Sequence, residues 1–132
     1  MDLHFNPITG RTSEITDAVM STPEVPQDDA LRFKVNLCAE EIVANIVNYA
    51  YKDGVGYIDI HTELSDGDLV LVFKDSGIPF NPLESASPDI SLPAADREIG
   101  GLGIFLCRKM MDSVEYEYVD GSNVLTMKIK VY

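Results

Sequence analysis

One run of residues constrains the fold of this chain more than any other. Between Gln27 and Tyr51, the apolar residues Leu31, Val35, Cys38, Ile42, Ile46 and Tyr49 recur at spacings of three and four. That is the period of a helix with one buried face. Asp28 and Asp29 suit its N-terminal end, where the helix dipole favours negative charge. Lys52-Asp53-Gly54 reads as its close.

The surrounding sequence predicts what this helix packs against. Leu3-His4-Phe5-Asn6 alternates as a short edge strand ended by Pro7. Thr12 or Ser13 is positioned to cap a short helix through Ser21, and Thr22 to Pro26 is a connector. Gly56 to Leu64 reads as a strand, with a turn at Ser65-Asp66-Gly67-Asp68. The unbroken apolar run Leu69-Val70-Leu71-Val72-Phe73 suits a central strand. From Asp75 to Ile99 the periodicity is lost in a long segment containing Pro79, Pro82, Pro88 and Pro93; such loops in small domains are usually functional or mobile. A third helix follows Gly100-Gly101-Leu102-Gly103 and ends near Asp112. Val114 to Val119 and Val124 to Val131 alternate as two final strands around Asp120-Gly121-Ser122. The order predicts one α+β domain over 1–132, a two-layer sandwich with helices on one face of a mixed sheet.

Charge narrows the partners. The 132 residues hold 10 Lys and Arg against 22 Asp and Glu, a formal net charge of -12. Nucleic acid and anionic membrane call for a basic footprint, so neither is expected as a direct partner. A basic protein, or a polyanion held by backbone groups and a metal, remains compatible. Cys38 and Cys107 sit in apolar helical patterns and read as small core hydrophobes in a reducing compartment. With neither a secretory leader nor an apolar run long enough to span a bilayer, the expected location is the cytoplasm.

Three polar clusters could carry chemistry. Glu41 and Asn45 are four apart and share one helix face. An Asn carbonyl is a good ligand for a hard cation, and a neighbouring Glu can take a proton from a hydroxyl or water. A solvated helix face including Glu40 and Asn48 explains the same residues without function. Asp75-Ser76-Gly77-Ile78-Pro79-Phe80 follows the apolar strand, where a carboxylate can accept from an exocyclic amine and Gly77 lets a flat ring approach. An ordinary turn is the plain alternative. Gly100-Gly101-Leu102-Gly103 opens a helix and could present backbone N–H groups to an anion, although it matches neither the P-loop nor the dinucleotide fingerprint. A hinge would use the same glycines.

The order of the three says more than any one. Glu40-Glu41-Ile42-Val43-Ala44-Asn45-Ile46-Val47-Asn48-Tyr49-Ala50-Tyr51, then Asp75-Ser76-Gly77-Ile78-Pro79-Phe80, then Gly100-Gly101-Leu102-Gly103-Ile104-Phe105-Leu106, resembles the GHKL ATPase superfamily. Within it, the chain is most similar to the anti-sigma factors that are also serine-protein kinases; Pro79, where many members carry glycine, suits that subset. The resemblance implies Glu41 as general base and Asn45 as a ligand of the Mg²⁺ that bridges the ATP phosphates. It implies Asp75 as acceptor of the adenine amino group, with Gly77 and Pro79 in the base pocket. Gly100, Gly101, Leu102 and Gly103 would meet the phosphates, and Asn81 to Ile99 would form a lid carrying Arg97. Thr126 on the last strand would stand near the adenine. The implied partners are a sigma factor and an anti-anti-sigma protein of the STAS class. In the family the N-terminal helix helps to build a homodimer, an expectation that the short helix here leaves open.

Competing functions differ in what they need. An ATP-gated module that sequesters a partner without phosphotransfer needs no base, and Glu41 favours the kinase. A sensor histidine kinase needs a phospho-acceptor, and His4 and His61 read as surface or structural residues. A domain with no ligand would require the three clusters to fall in order by coincidence.

Overall fold

The computed structural model describes residues 1–51, 56–84 and 99–131. Its elements are β1 (Asp2–Phe5), α1 (Thr12–Met20), α2 (Asp29–Asn45), a π-helical turn (Ile46–Ala50), β2 (Ile58–Ser65), β3 (Asp68–Asp75), a 3₁₀ turn (Pro82–Glu84), α3 (Ile99–Met110), β4 (Ser113–Val119) and β5 (Ser122–Lys130).

The strands form one sheet in the order β1-β2-β3-β5-β4. Every described pairing is antiparallel, where a mixed sheet was expected. Two of these pairings follow directly from their tight connections. Asp66 and Gly67 take φ of 53° and 85°, and Asp120 and Gly121 take 52° and 78°. These are the left-handed two-residue turns that suit the twist of tight hairpins, giving β2–β3 and β4–β5. The apolar run expected as a central strand is β3, flanked by β2 and β5.

The helices cover one face of this sheet, as a two-layer sandwich requires. Ile58, Ile60, Leu69, Leu71, Phe73, Leu125, Met127 and Ile129 alternate inward from the strands and pack with Val35, Cys38, Ile42 and Val43 of α2. Cys38 and Cys107 are both buried free thiols, and the Cys107 thiol reaches the Cys38 carbonyl at 4.0 Å, so they pack α3 on α2.

Two local expectations change. α1 begins at Thr12 with Arg11 before it, and no side chain caps it. Arg11 instead donates to the Pro7 carbonyl at 2.7 Å and to Glu14 (Nε to Oε2, 2.9 Å), and lies over the Phe5 ring. The long helix reaches Ala50, but its last turn is π-helical. The wider turn shifts the phase of the buried stripe, so Tyr49 is exposed rather than packed. Lys52-Asp53-Gly54 lies outside the described residues.

Candidate functional site

The inward alternation of β3 runs Leu69, Leu71, Phe73 and then Asp75, so the strand ends by placing a carboxylate in the core phase. Asp75 is 2% exposed. Its Oδ1 accepts from the Gly77 N–H and from Asn123 Nδ2, both at 2.9 Å. Burial pushes its carboxyl above the usual Asp range, and these two donors oppose that shift.

A cleft of about 390 Å³, counted to its open mouth, lies between α2 with its π turn and the ends of β3 and β5. Asn45, Ala50, Phe73, Asp75, Phe80 and Asn123 are among its lining residues. It has an apolar wall with a few converging polar groups, the usual make-up of a small-molecule site. Tyr49 and Phe80 face each other at 5.9 Å between ring centroids.

Asn45 closes the regular part of α2, where the π turn begins. Its Nδ2 donates to the Glu41 carbonyl at 3.0 Å and to Glu41 Oε1 at 3.2 Å. That leaves the Asn45 carbonyl as the amide atom available to a cation. Glu41 is half-buried, and desolvation raises its carboxyl, opposed by the Asn45 bond and reinforced by Glu40. A carboxyl moved toward neutral pH is better matched to proton transfer.

The glycine cluster differs from expectation. Gly100, Gly101 and Leu102 lie within the first turn of α3, which starts at Ile99, rather than ahead of it. Gly103 packs on Glu41: a Cβ there would stand 2.1 Å from the Glu41 carboxyl carbon. Gly77 is not in the cleft wall. It is pressed against the π turn, where a Cβ would meet the Ala50 carbonyl oxygen at 2.1 Å, and the next N–H, from Ile78, donates to that oxygen at 2.8 Å. Pro79 is exposed and absent from the lining. Thr126 is out of phase with Asn123 and Leu125, pairs across with Val72, and so points to the other face of the sheet. Arg97 and residues 85–98 of the expected lid lie outside the described residues.

Two residues of the cleft are not among the candidate site residues of the sequence. Asn123, 6% exposed, touches Asp75, and Tyr116, read as ordinary strand alternation, lines the same cleft. The only sequence signal was their phase: Asn123 shares the inward phase of Leu125 and Met127. Tyr51 donates to the Tyr57 carbonyl at 2.7 Å and accepts from the Ser76 N–H at 3.0 Å, joining the helix end to the start of the Asp75 loop. His4 and His61 lie on the far face, with Nδ1 atoms 2.5 Å from Asp59 and 2.6 Å from Asp2.

An antiparallel sheet under helices, with a cleft between an Asp at a strand end and an Asn on the facing helix, makes this an α+β domain with a candidate small-molecule cleft. Residues 9–129 match the family model described as the histidine kinase-like ATPase domain, and the chain belongs to that family. Over 98 residues it is 33% identical to the serine/threonine-protein kinase BtrW of Bordetella bronchiseptica, covering 74% of this chain and 69% of that one. It is 35% identical over 98 residues to the serine-protein kinase RsbW of Bacillus anthracis, but spans only 61% of that relative's length. Among solved structures it resembles the catalytic domain of the histidine kinase ThkA (TM-score 0.56, 21% identity, 76% of this chain and 67% of that one). It also resembles the histidine kinase AdeS of Acinetobacter baumannii (TM-score 0.54, 16% identity, 76% and 47%). These two likenesses are of fold.

Proposed function

We propose that this chain is an ATP-dependent protein serine kinase of the partner-switching type, which holds a sigma factor inactive and phosphorylates a STAS-class anti-anti-sigma protein. The observation that carries the reading is that Asn45 and Asp75 face one cleft while Glu41 stands one helical turn from Asn45, hydrogen-bonded to it. Kinship to serine-protein kinases supports the choice of acceptor.

In this reading the Asp75 carboxylate accepts from the purine amino group, and Phe73, Ile42 and Leu125 keep water from the base. The described residues hold no group of three or more His, Cys, Asp or Glu suited to a metal. The Asn45 carbonyl fits the sparse protein ligation that Mg²⁺ takes alongside phosphate and water oxygens. The cation, when bound, would neutralise phosphate charge. Glu41 takes the proton from the attacking serine hydroxyl, and its raised proton affinity suits it to that task. With few cations in the chain, positioning carries much of the catalysis.

Calorimetric titration with ATP, with and without Mg²⁺, tests the site, with Asp75→Asn as control. Binding that requires Mg²⁺ and is lost in Asp75→Asn is the expected result. Absence of binding in both conditions would remove the nucleotide from the reading. Phosphate transfer from labelled ATP to a STAS-domain protein then tests the acceptor, and ATP binding without transfer would favour sequestration of a partner alone.

A further inference from the structure

The register of the sheet places Asn123 of β5 directly opposite Asp75 of β3. Both residues are buried, and each has its own strand's inward phase. Asn123 Nδ2 donates to Asp75 Oδ1 and to the Ile78 carbonyl, each at 2.9 Å. Asn123 Oδ1 accepts from the Phe80 N–H at 3.0 Å and from the Tyr116 hydroxyl. This pattern fixes which way the amide faces. A backbone N–H can only donate and a backbone carbonyl can only accept, so Phe80 and Ile78 together exclude the flipped amide.

We propose that Asn123 is a positioning residue for purine selection: it holds the Asp75 carboxylate in place as a pure acceptor, so that the cleft takes a 6-amino purine and rejects a 6-oxo purine. This rests on the reading that Asp75 receives the base. The Asn123 and Gly77 donors both fall on Oδ1, so Oδ2 is the oxygen presented to a ligand. An ionised carboxylate offers only lone pairs. It attracts the amino group of adenine and repels the carbonyl of hypoxanthine. A protonated carboxyl could donate to that carbonyl and would lose the discrimination. Asn123 opposes protonation in a site where burial favours it. By gripping Ile78 and Phe80, the same amide also fixes the loop that forms one wall of the cleft.

The test compares ATP with inosine triphosphate, which differs at this position in carrying an oxygen in place of the amino group. Affinities are measured by calorimetry on the full chain, with thermal unfolding as a check on folding. The parent should prefer ATP by roughly tenfold or more, the scale of one charge-assisted hydrogen bond. In Asn123→Asp and Asn123→Ala the preference should fall toward parity, chiefly through weaker ATP binding. Equal weakening of both nucleotides, with the ratio preserved, would mean a merely structural role and would overturn the proposal. If both variants unfold, Asn123→Ser decides: it keeps a polar group at the position but cannot bond Asp75 and Ile78 together as the amide does, so the ratio should narrow, and an unchanged ratio overturns the proposal. Asp75→Asn separates the two levels. If it retains the parent's ATP preference, the base-pocket reading fails; if it loses that preference while folded Asn123 variants keep it, only the role of Asn123 fails.

Discussion

Gly103 of α3 lies directly against the carboxylate of Glu41 on α2: a Cβ at position 103 would stand 2.3 Å from Oε2 and 2.4 Å from Oε1. The glycine therefore sets where that carboxylate can be. The obstructing atoms are the far end of a flexible side chain, so Gly103→Ala should still fold, and Ala in a helix gains about 1 kcal/mol over Gly. We expect a melting temperature equal to or above the parent's, with phosphotransfer reduced at least severalfold because Glu41 is displaced. Full activity in Gly103→Ala would show that the carboxylate's position is not critical.

Gly77 presents the opposite case. The atoms nearest to a Cβ there are backbone atoms of Ala50, which cannot swing away. Gly77→Ala should separate the Asp75 loop from the π turn and break the bond from the Ile78 N–H to Ala50. The expected cost is about 1–3 kcal/mol, as for overpacking, seen in urea denaturation together with weakened ATP binding. A variant of parental stability would contradict the close approach.

Glu41 makes stability depend on pH in a defined direction. Its carboxyl is raised in the fold, chiefly by desolvation, so the native state binds this proton more tightly than the unfolded chain. Its contribution is favourable below the ordinary Glu range and is lost as pH rises through the raised value. Glu41→Gln should therefore be more stable than the parent at neutral pH in the absence of nucleotide. That advantage should shrink as pH falls toward about 4, near the unfolded Glu value. Denaturant midpoints of both proteins across pH 4–8 would check the sign, and an advantage that grows on acidification would contradict it.

Tyr51 ties three pieces of chain with one hydroxyl, at Tyr57 and Ser76. Tyr51→Phe keeps the ring and removes both bonds. A loss of about 1–2 kcal/mol is expected in chemical denaturation. Amide hydrogen exchange should quicken at Ser76, and unchanged protection there would show that the hydroxyl does not hold the loop.

The parts of this molecule legible in the sequence are those written as local period. The stripe from Leu31 to Ile46 gives α2, Asp-Gly pairs give both hairpins, and the run after Asp68 gives the central strand. Glu41, Asn45 and Asp75 stand out in the sequence by their spacing and by the order of their motifs, and the fold brings Asn45 and Asp75 to one cleft. What escaped was non-local. Nothing near Asn123 announces that register sets it across from Asp75, and nothing near Gly103 announces Glu41. Thr126 was placed by resemblance, but strand alternation turns it to the other face. Tyr49 fitted a helical stripe until one wide turn changed the phase.

That wide turn is also a spacer. Each residue of a regular helix advances the chain by about 100° of rotation, and a π turn accommodates one residue more than the α-helical ladder would. Were Ile46–Ala50 to wind as regular α-helix with no residue removed, everything after them would be carried round by roughly a quarter-circle. The Ala50 carbonyl would then face away from Ile78, and the Tyr51 hydroxyl would lose its reach to Ser76. A helix made regular in this way would keep Glu41, Asn45, Asp75 and Asn123 unchanged, yet the two walls of the cleft would no longer be fastened together.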